Sequence, residues 1–368
     1  MKILIITSHL NVGGISSYII NLTKGLKQKG IDVVIASSGG DVIKNLEDLG
    51  ARHFFIDIDT SSELSPKIIK CAISLSKLAR QEKFDIIHAQ TRVTQVLAAL
   101  FSGISGISYI STCHGFYKFR LNRKIFPCFG KFVIAVSRQV KEELKNKLYI
   151  KEGRIKLIPH GIDIEKYSKN LSQVEKIRLR EQLNLKPGSF VLGNIGRLSW
   201  EKGHKFLISA FSEVVKKHPD TELIIVGKGR LEQDFLAQVK NLGIENKVYF
   251  FGERRDLENI YPVMDIFCFP SLRESFGFSV LEALASGVPV IASDIGELRY
   301  LVEDGRNGFL CKPGDSKGLT LKINYLIENK NSLDQMKKEA RSIASKDFSL
   351  LRMADDVISV YEQAIKTK

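Results

Sequence analysis

From Lys2 to Cys311, short runs of β-branched and other apolar residues alternate with amphipathic helical stretches. This alternation constrains the fold more than any other feature. A strand buried on both faces reads as a near-continuous apolar run, and parallel neighbours need a helical crossover between them. The first series of strands is predicted at Lys2–Thr7, Asp32–Ala36, His53–Ile56, Asp85–His88, Ile107–Thr112, Phe132–Val136 and Ile155–Ile158. Helices are predicted at Ile15–Lys29, Pro66–Lys83 and Arg138–Tyr149, the last capped by Ser137. Residues 165–188 break the rhythm. They are polar, end in Lys186-Pro187-Gly188, and read as a linker with one small helix. A second series then runs through Phe190–Ile195, Glu222–Val226, Val248–Phe251, Ile266–Phe269, Val288–Ala292 and Gly308–Cys311. The fold class is therefore α/β, with two Rossmann-like domains of parallel sheet and a cleft between them. The domains are predicted at 1–164 and 189–347, and the last residues, 348–368, as a helix with an apolar stripe through Leu351, Val357 and Tyr361.

Composition narrows the partners. The chain carries 55 Lys+Arg against 41 Asp+Glu, a net charge of +14. The excess lies mainly in the first half, where Ile86 to Lys141 holds eight basic residues and no carboxylate. An anionic partner follows: nucleic acid, an anionic membrane surface or a phosphorylated substrate, unless the surface is merely basic. The five cysteines are scattered with no CxxC spacing, which disfavours zinc and disulfide chemistry and fits a reducing cytoplasm. After Lys2 only four apolar residues precede Thr7, so no secretory signal is expected.

In open α/β sheets ligands bind beyond the carboxyl ends of strands, so the loops there are where chemistry is sought. Gly13-Gly14 follows the first strand and opens a helix, a place where backbone N–H groups can meet an anion. Gly227-Lys228-Gly229 repeats the pattern, but neither loop is a GxGxxG fingerprint, and a NAD-dependent dehydrogenase is disfavoured. Taken alone, both also read as plain tight turns. Arg197 and Lys202, five apart across a turn, could grip a diphosphate or stand as a solvated pair. Glu274-Ser275-Phe276-Gly277 leads into a helix that carries Glu282 two turns beyond Glu274. A carboxylate can accept from two vicinal hydroxyls, so this arrangement suits a ligand with hydroxyls at both ends and phosphate between, a nucleotide sugar. His88 and His114 close predicted strands of the first half, where His114 is placed to touch a substrate or to serve the core.

In order along the chain, Gly13-Gly14, His114-Gly115, Pro159-His160-Gly161-Ile162-Asp163, Gly196-Arg197 with Lys202-Gly203, Gly227-Lys228-Gly229 and the Glu274-x7-Glu282 block with Gly287-Val288-Pro289-Val290 resemble the glycosyltransferase family 4 enzymes of GT-B fold. The resemblance covers the whole chain. It implies two Rossmann-like domains with sheets facing across a cleft, the C-terminal helix crossing back to the first domain. It implies retaining hexosyl transfer from a nucleotide-sugar donor held mainly by the second domain to an acceptor held mainly by the first, with no cofactor and no metal. Position by position, Arg197 and Lys202 match the diphosphate pair, Glu282 the group on the ribose hydroxyls, and Glu274 the group at the transferred sugar. Ser275, Phe276 and Gly277 match the backbone donors beside it. His114 matches the histidine near the reaction centre, and Gly14 and Gly227 match glycine loops at the donor. The chain departs from the family at Ile15-Ser16-Ser17, where an acidic residue often stands, at His160 in the Pro-Asn-Gly motif, and at Gln90, where some members carry a second histidine.

Mechanistically, no carboxylate nucleophile for the β-face is identifiable. Same-face attack with the departing phosphate as base is favoured over double displacement. No Asp-x-Asp pair lies beside the donor motifs, in keeping with metal independence. The stretch Phe116–Lys131 interleaves Lys118, Arg120, Arg123 and Lys124 with Phe116, Tyr117, Phe119 and Phe126. It suits an anionic lipid-linked or lipopolysaccharide-type acceptor and peripheral contact with the inner face of the cytoplasmic membrane, or equally a helix packed into the first domain. Two rivals remain: a GT-B nucleotide-sugar 2-epimerase, and a non-enzymatic nucleic-acid-binding protein. Against the second, no nucleic-acid-reading motif accompanies the basic stretch, and paired glutamates repel phosphates.

Overall fold

The computed structural model describes residues 1–115, 126–169 and 171–367. The chain divides into two compact units, Met1–Ile162 with Ser349–Lys368, and Asp163–Phe348.

The first unit is built on a seven-stranded parallel sheet of β1 (Lys2–Ile6), β2 (Asp32–Ser37), β3 (Arg52–Phe55), β4 (Ile86–Ala89), β5 (Tyr109–Cys113), β6 (Val133–Ala135) and β7 (Ile155–Leu157). Its spatial order is β3-β2-β1-β4-β5-β6-β7. The doubly wound order arises because β1 pairs with both β2 and β4, placing a switch point at its carboxyl end, where Gly13-Gly14 lies. Leu4, Ile6, Ile87, Leu97 and Phe101 are fully buried in one core layer. Each such side chain contributes about 1.5–3 kcal/mol of transfer free energy. Ser137 does cap helix Arg138–Asn146, accepting from Val140 N at 3.2 Å.

The last helix, Leu350–Lys366, is part of this unit and packs against helix Gly14–Gln28. Gly161 makes its entry possible. A Cβ there would meet Ser349 O at 2.6 Å and Leu350 Cα at 2.9 Å, so only glycine admits the passing chain. Leu350 N then bonds Ile162 O at 3.0 Å, and Asn21 Nδ2 donates to Gly161 O at 3.0 Å. The glycine of the Pro-His-Gly motif thus has a structural duty.

The second unit holds a six-stranded parallel sheet of β8 (Phe190–Ile195), β9 (Thr221–Val226), β10 (Val248–Phe250), β11 (Ile266–Phe269), β12 (Val290–Ser293) and β13 (Gly308–Cys311), ordered β10-β9-β8-β11-β12-β13. Residues 165–188 are not a free linker: they are packed into this unit. Ser172 forms a capping box with Glu175, and helix Gln173–Gln182 carries Arg180 inward. The Arg180 guanidinium donates to Val263 O, Ser189 O and Asp265 Oδ2, the last at 2.7 Å. A buried guanidinium held by these and by Pro187 O, four acceptors in all, anchors the segment; removing one partner of such a buried ion pair costs about 3–5 kcal/mol.

Candidate functional site

In the second unit, three loops at carboxyl ends of strands are laced together by their backbones. The loop after β8 meets the loop after β9 through Leu198 N to Lys228 O at 3.0 Å and Gly196 N to Val226 O at 2.9 Å. Gly227, with φ of +137°, lies so near Gly196 that a Cβ would sit 2.1 Å from its carbonyl oxygen. Its missing side chain is therefore used by the chain itself. The loop after β11 joins them through Leu272 N to Glu201 O at 2.8 Å.

On this frame Lys202 and Glu274 come together. Lys202 Nζ donates to Glu274 Oε2 at 2.5 Å and lies 4.9 Å over the Phe269 ring. Glu274 Oε1 accepts from Ser275 N at 3.1 Å. An ammonium has three donors, so two remain to Lys202 for a phosphate. Arg197 is exposed on the same turn. Its fork geometry matches an anionic oxygen pair. Helix Phe278–Ala285 begins just beyond, with Gly277 at its N-cap in the left-handed region at φ +106° and no side-chain cap. The side chain of Phe276 is core, ringed by Phe278 and Phe348, so only its backbone is open to a donor role.

Glu282 lies on that helix and receives two phenols. Tyr167 OH donates to Oε1 at 3.0 Å, and Tyr261 OH donates to Oε2 at 2.8 Å. Burial raises the Glu282 carboxyl above its ordinary range, and the two phenols offset only part of that rise. Sequence reasoning missed both tyrosines. Tyr167 stood in the segment read as linker, and Tyr261 in an apolar run; an aromatic residue within a polar segment was the only local signal.

The first unit gathers its polar groups differently. His88 on β4 is fully buried, with Nδ1 2.7 Å from Tyr361 OH and Nε2 2.7 Å from Thr112 Oγ1. His114, just past β5, donates from Nε2 to Gln90 Oε1 at 2.9 Å. A carbonyl oxygen only accepts, so the proton sits on Nε2, and Nδ1, enclosed and without a partner among the described residues, keeps its lone pair. His160 stacks on His114 at 5.6 Å between centroids, and Tyr18 sets its edge against both rings. Burial pushes His88 and His114 down to about 3 and His160 well below its ordinary range, so all three are neutral. Gly14 is exposed as the first residue of helix Gly14–Gln28. Lys118, Arg120, Arg123 and Lys124 lie outside the described residues.

Two family models cover most of the chain. The glycosyltransferase family 4 model matches residues 12–166, and the glycosyl transferases group 1 model matches residues 175–343. The chain belongs to the family 4 glycosyltransferases. The transferase is 28% identical over 353 residues to the UDP-Gal:alpha-D-GlcNAc-diphosphoundecaprenol alpha-1,3-galactosyltransferase of Escherichia coli, covering 91% of this chain and 89% of that protein. A glycosyltransferase from Rickettsia africae superposes with a TM-score of 0.90 at 25% identity, covering 100% of this chain and 99% of that one. HepE of Anabaena, solved with UDP-glucose, superposes at 0.85 with 27% identity, covering 99% of this chain and 100% of that one. The fold is GT-B, α/β with two parallel sheets. Among the described residues no helix is long and apolar enough to cross a membrane.

Proposed function

We propose that this glycosyltransferase moves a hexosyl group from a nucleotide-diphosphate sugar to an acceptor hydroxyl, with retention and without a metal, in the synthesis of a cell-surface polysaccharide or glycolipid. The observation that carries the reading is the meeting of Lys202 and Glu274 at 2.5 Å beside exposed Arg197, at the carboxyl ends of β8 and β11. Cations for a diphosphate and a carboxylate for sugar hydroxyls are adjacent there. Glu282 serves the ribose, backbone N–H groups of Phe276 and Gly277 serve the sugar or phosphate, and that of Ser275 holds the Glu274 carboxylate in place. The bond from the anomeric carbon to the β-phosphate oxygen breaks, and Arg197 and Lys202 meet the charge that collects on the departing diphosphate. The acceptor oxygen bonds the same face of the anomeric carbon, and its proton passes to the leaving phosphate. His114, neutral, brings no positive charge to the reaction centre. Support for a UDP-sugar and a lipid-diphosphate acceptor comes from the names of the Anabaena and Escherichia coli relatives. The carboxylate-free stretch 86–141 supports an anionic acceptor and contact with an anionic membrane surface.

The test is a screen of UDP-, GDP- and ADP-sugars in excess EDTA, with the anomeric proton of the sugar product followed by NMR. One donor class is turned over with the α or β configuration of the donor retained. Turnover only after manganese is added, or an inverted first product, overturns the metal-free or the retaining part. A parallel arm sediments the protein with liposomes. Anionic vesicles retain it, and changing Lys118, Arg120, Arg123 and Lys124 together to Gln releases it; equal binding by both proteins removes the membrane claim.

A further inference from the structure

Glu282 is an unusual carboxylate in how it is held. Its hydrogen bonds among the described residues come from two phenols, one on each oxygen, and from no cation. The phenols arrive from separate elements. Tyr167 ends the short helix Ile164–Tyr167, and Tyr261 opens the turn Tyr261–Val263. Their rings stand edge to face at 5.9 Å, and Tyr261 is fully buried. Ser279 is a second hydrogen-bonding neighbour of the Tyr261 hydroxyl, and can donate to the phenol oxygen while the phenol donates to Glu282. Charged neighbours lie behind them: Lys166 favours the ionised carboxyl and Glu258 opposes it, and these two are paired at 3.3 Å.

A carboxylate oxygen has two lone-pair directions. With one on each oxygen taken by a phenol, one on each remains, spaced for two vicinal hydroxyls. A protonated carboxyl would have to place its hydrogen on one of these oxygens and would lose that capacity. Both phenols keep their protons, since burial beside Glu282 pushes each well above the ordinary tyrosine range.

We infer that Tyr167 and Tyr261 are positioning residues for nucleotide binding, their hydroxyls aiming the Glu282 carboxylate and keeping it ionised for a ribose diol. The inference rests on the reading of Glu282 as the ribose-binding group. Phenylalanine at both positions preserves the packing and removes both donors. The carboxyl, left desolvated, then takes up a proton at a higher pH than in the parent. As pH falls through that point, ribose affinity falls with it, by about tenfold per pH unit.

The experiment measures the dissociation constants of UDP, GDP and ADP by calorimetry from pH 5.5 to 8.5. The proteins are the parent, Y167F, Y261F, the double variant and E282Q. Each is expressed as a ratio to the parent at the same pH, so that titration of the nucleotide phosphate cancels. For whichever nucleotide binds, the double variant falls further below the parent as pH drops from 8.5 to 5.5, by up to about tenfold per pH unit once its carboxyl protonates. E282Q is weak throughout, with a flat ratio. A double variant that matches the parent at every pH, with E282Q weakened, overturns the tyrosine inference and leaves the ribose role standing; a loss equal at every pH overturns the ionisation half of it. E282Q binding like the parent removes the ribose role, and the inference with it. If the double variant does not fold, Y167F alone carries the test, because Tyr167 is the less buried of the two. Carbon-13 carboxyl NMR, with Glu282 assigned by its loss in E282Q, then shows the carboxyl titrating at higher pH than in the parent; an unchanged titration overturns the inference.

Discussion

The two units share an architecture and solve opposite electrostatic problems. Both are doubly wound parallel sheets, with the residues of interest at the carboxyl ends of strands. In the first, the gathered groups are imidazoles, phenols, a hydroxyl and an amide, all neutral: His88, His114, His160, Tyr18, Tyr361, Thr112 and Gln90. In the second they are ions: Lys202 with Glu274, and Glu282 under its phenols. A neutral, hydrogen-bonded cluster can orient an uncharged hydroxyl at its edge without competing for its proton. A set of fixed charges can take the load of a departing diphosphate. The difference fits the proposal that the second unit meets the charge of the donor and the first handles hydroxyls.

The largest effect should come from breaking the ionic side. Arg197→Ala or Lys202→Ala should each lower turnover about 10²–10³-fold, roughly 3–4 kcal/mol of transition-state stabilisation, by analogy with the loss of one oxyanion donor. Steady-state kinetics on the donor found by the screen measures this. A loss below threefold in a folded variant would show that the cations there are solvated bystanders.

Acid sharpens the comparison with a smaller effect. A histidine held down to about 3 in the folded unit takes up a proton near 6.5 once unfolded. Stability is thus complete above pH 6.5 and declines as pH falls toward 3. For His88 the loss is about 2 kcal/mol at pH 5, at 1.36 kcal/mol per unit. His114 and His160 shift the same way. In the second unit His204, pushed down to about 4, and Asp265, also lowered, lose stability too, while Glu282, raised, gains it as pH falls. Hydrogen exchange between pH 7 and 4 should therefore find the first unit opening before the second. The reverse order would mean that the neutral cluster is not the acid-sensitive element.

The sheets were legible because strands buried on both faces leave apolar runs that turns must interrupt; all thirteen predicted strands are present, within a residue or two at their ends. Lys202, Glu274 and Glu282 were legible because strand, turn and helix fix their spacing locally. Tyr167 and Glu282 are 115 residues apart, and no local pattern couples them. The same holds for Tyr361 and His88, 273 apart, and for the stacking of His160 on His114. The segment 165–188 was misread for a related reason. Its polar sequence hides one inward arginine, and burial of that side chain is decided by Asp265 and the Val263 carbonyl, far along the chain. Gly227 was matched to a glycine loop at the donor, and the close approach of the Gly196 carbonyl accounts for that glycine without a ligand.

The central claim, that the second unit grips the nucleotide diphosphate, is tested most directly by peptide-level hydrogen exchange with and without UDP, GDP and ADP at saturating concentration. One of them should slow exchange in peptides spanning 196–203 and 274–282, and E282Q should lose that protection at the same nucleotide concentration. Protection confined to the first unit, or none at 196–203 and 274–282 when calorimetry shows the nucleotide bound, would contradict it.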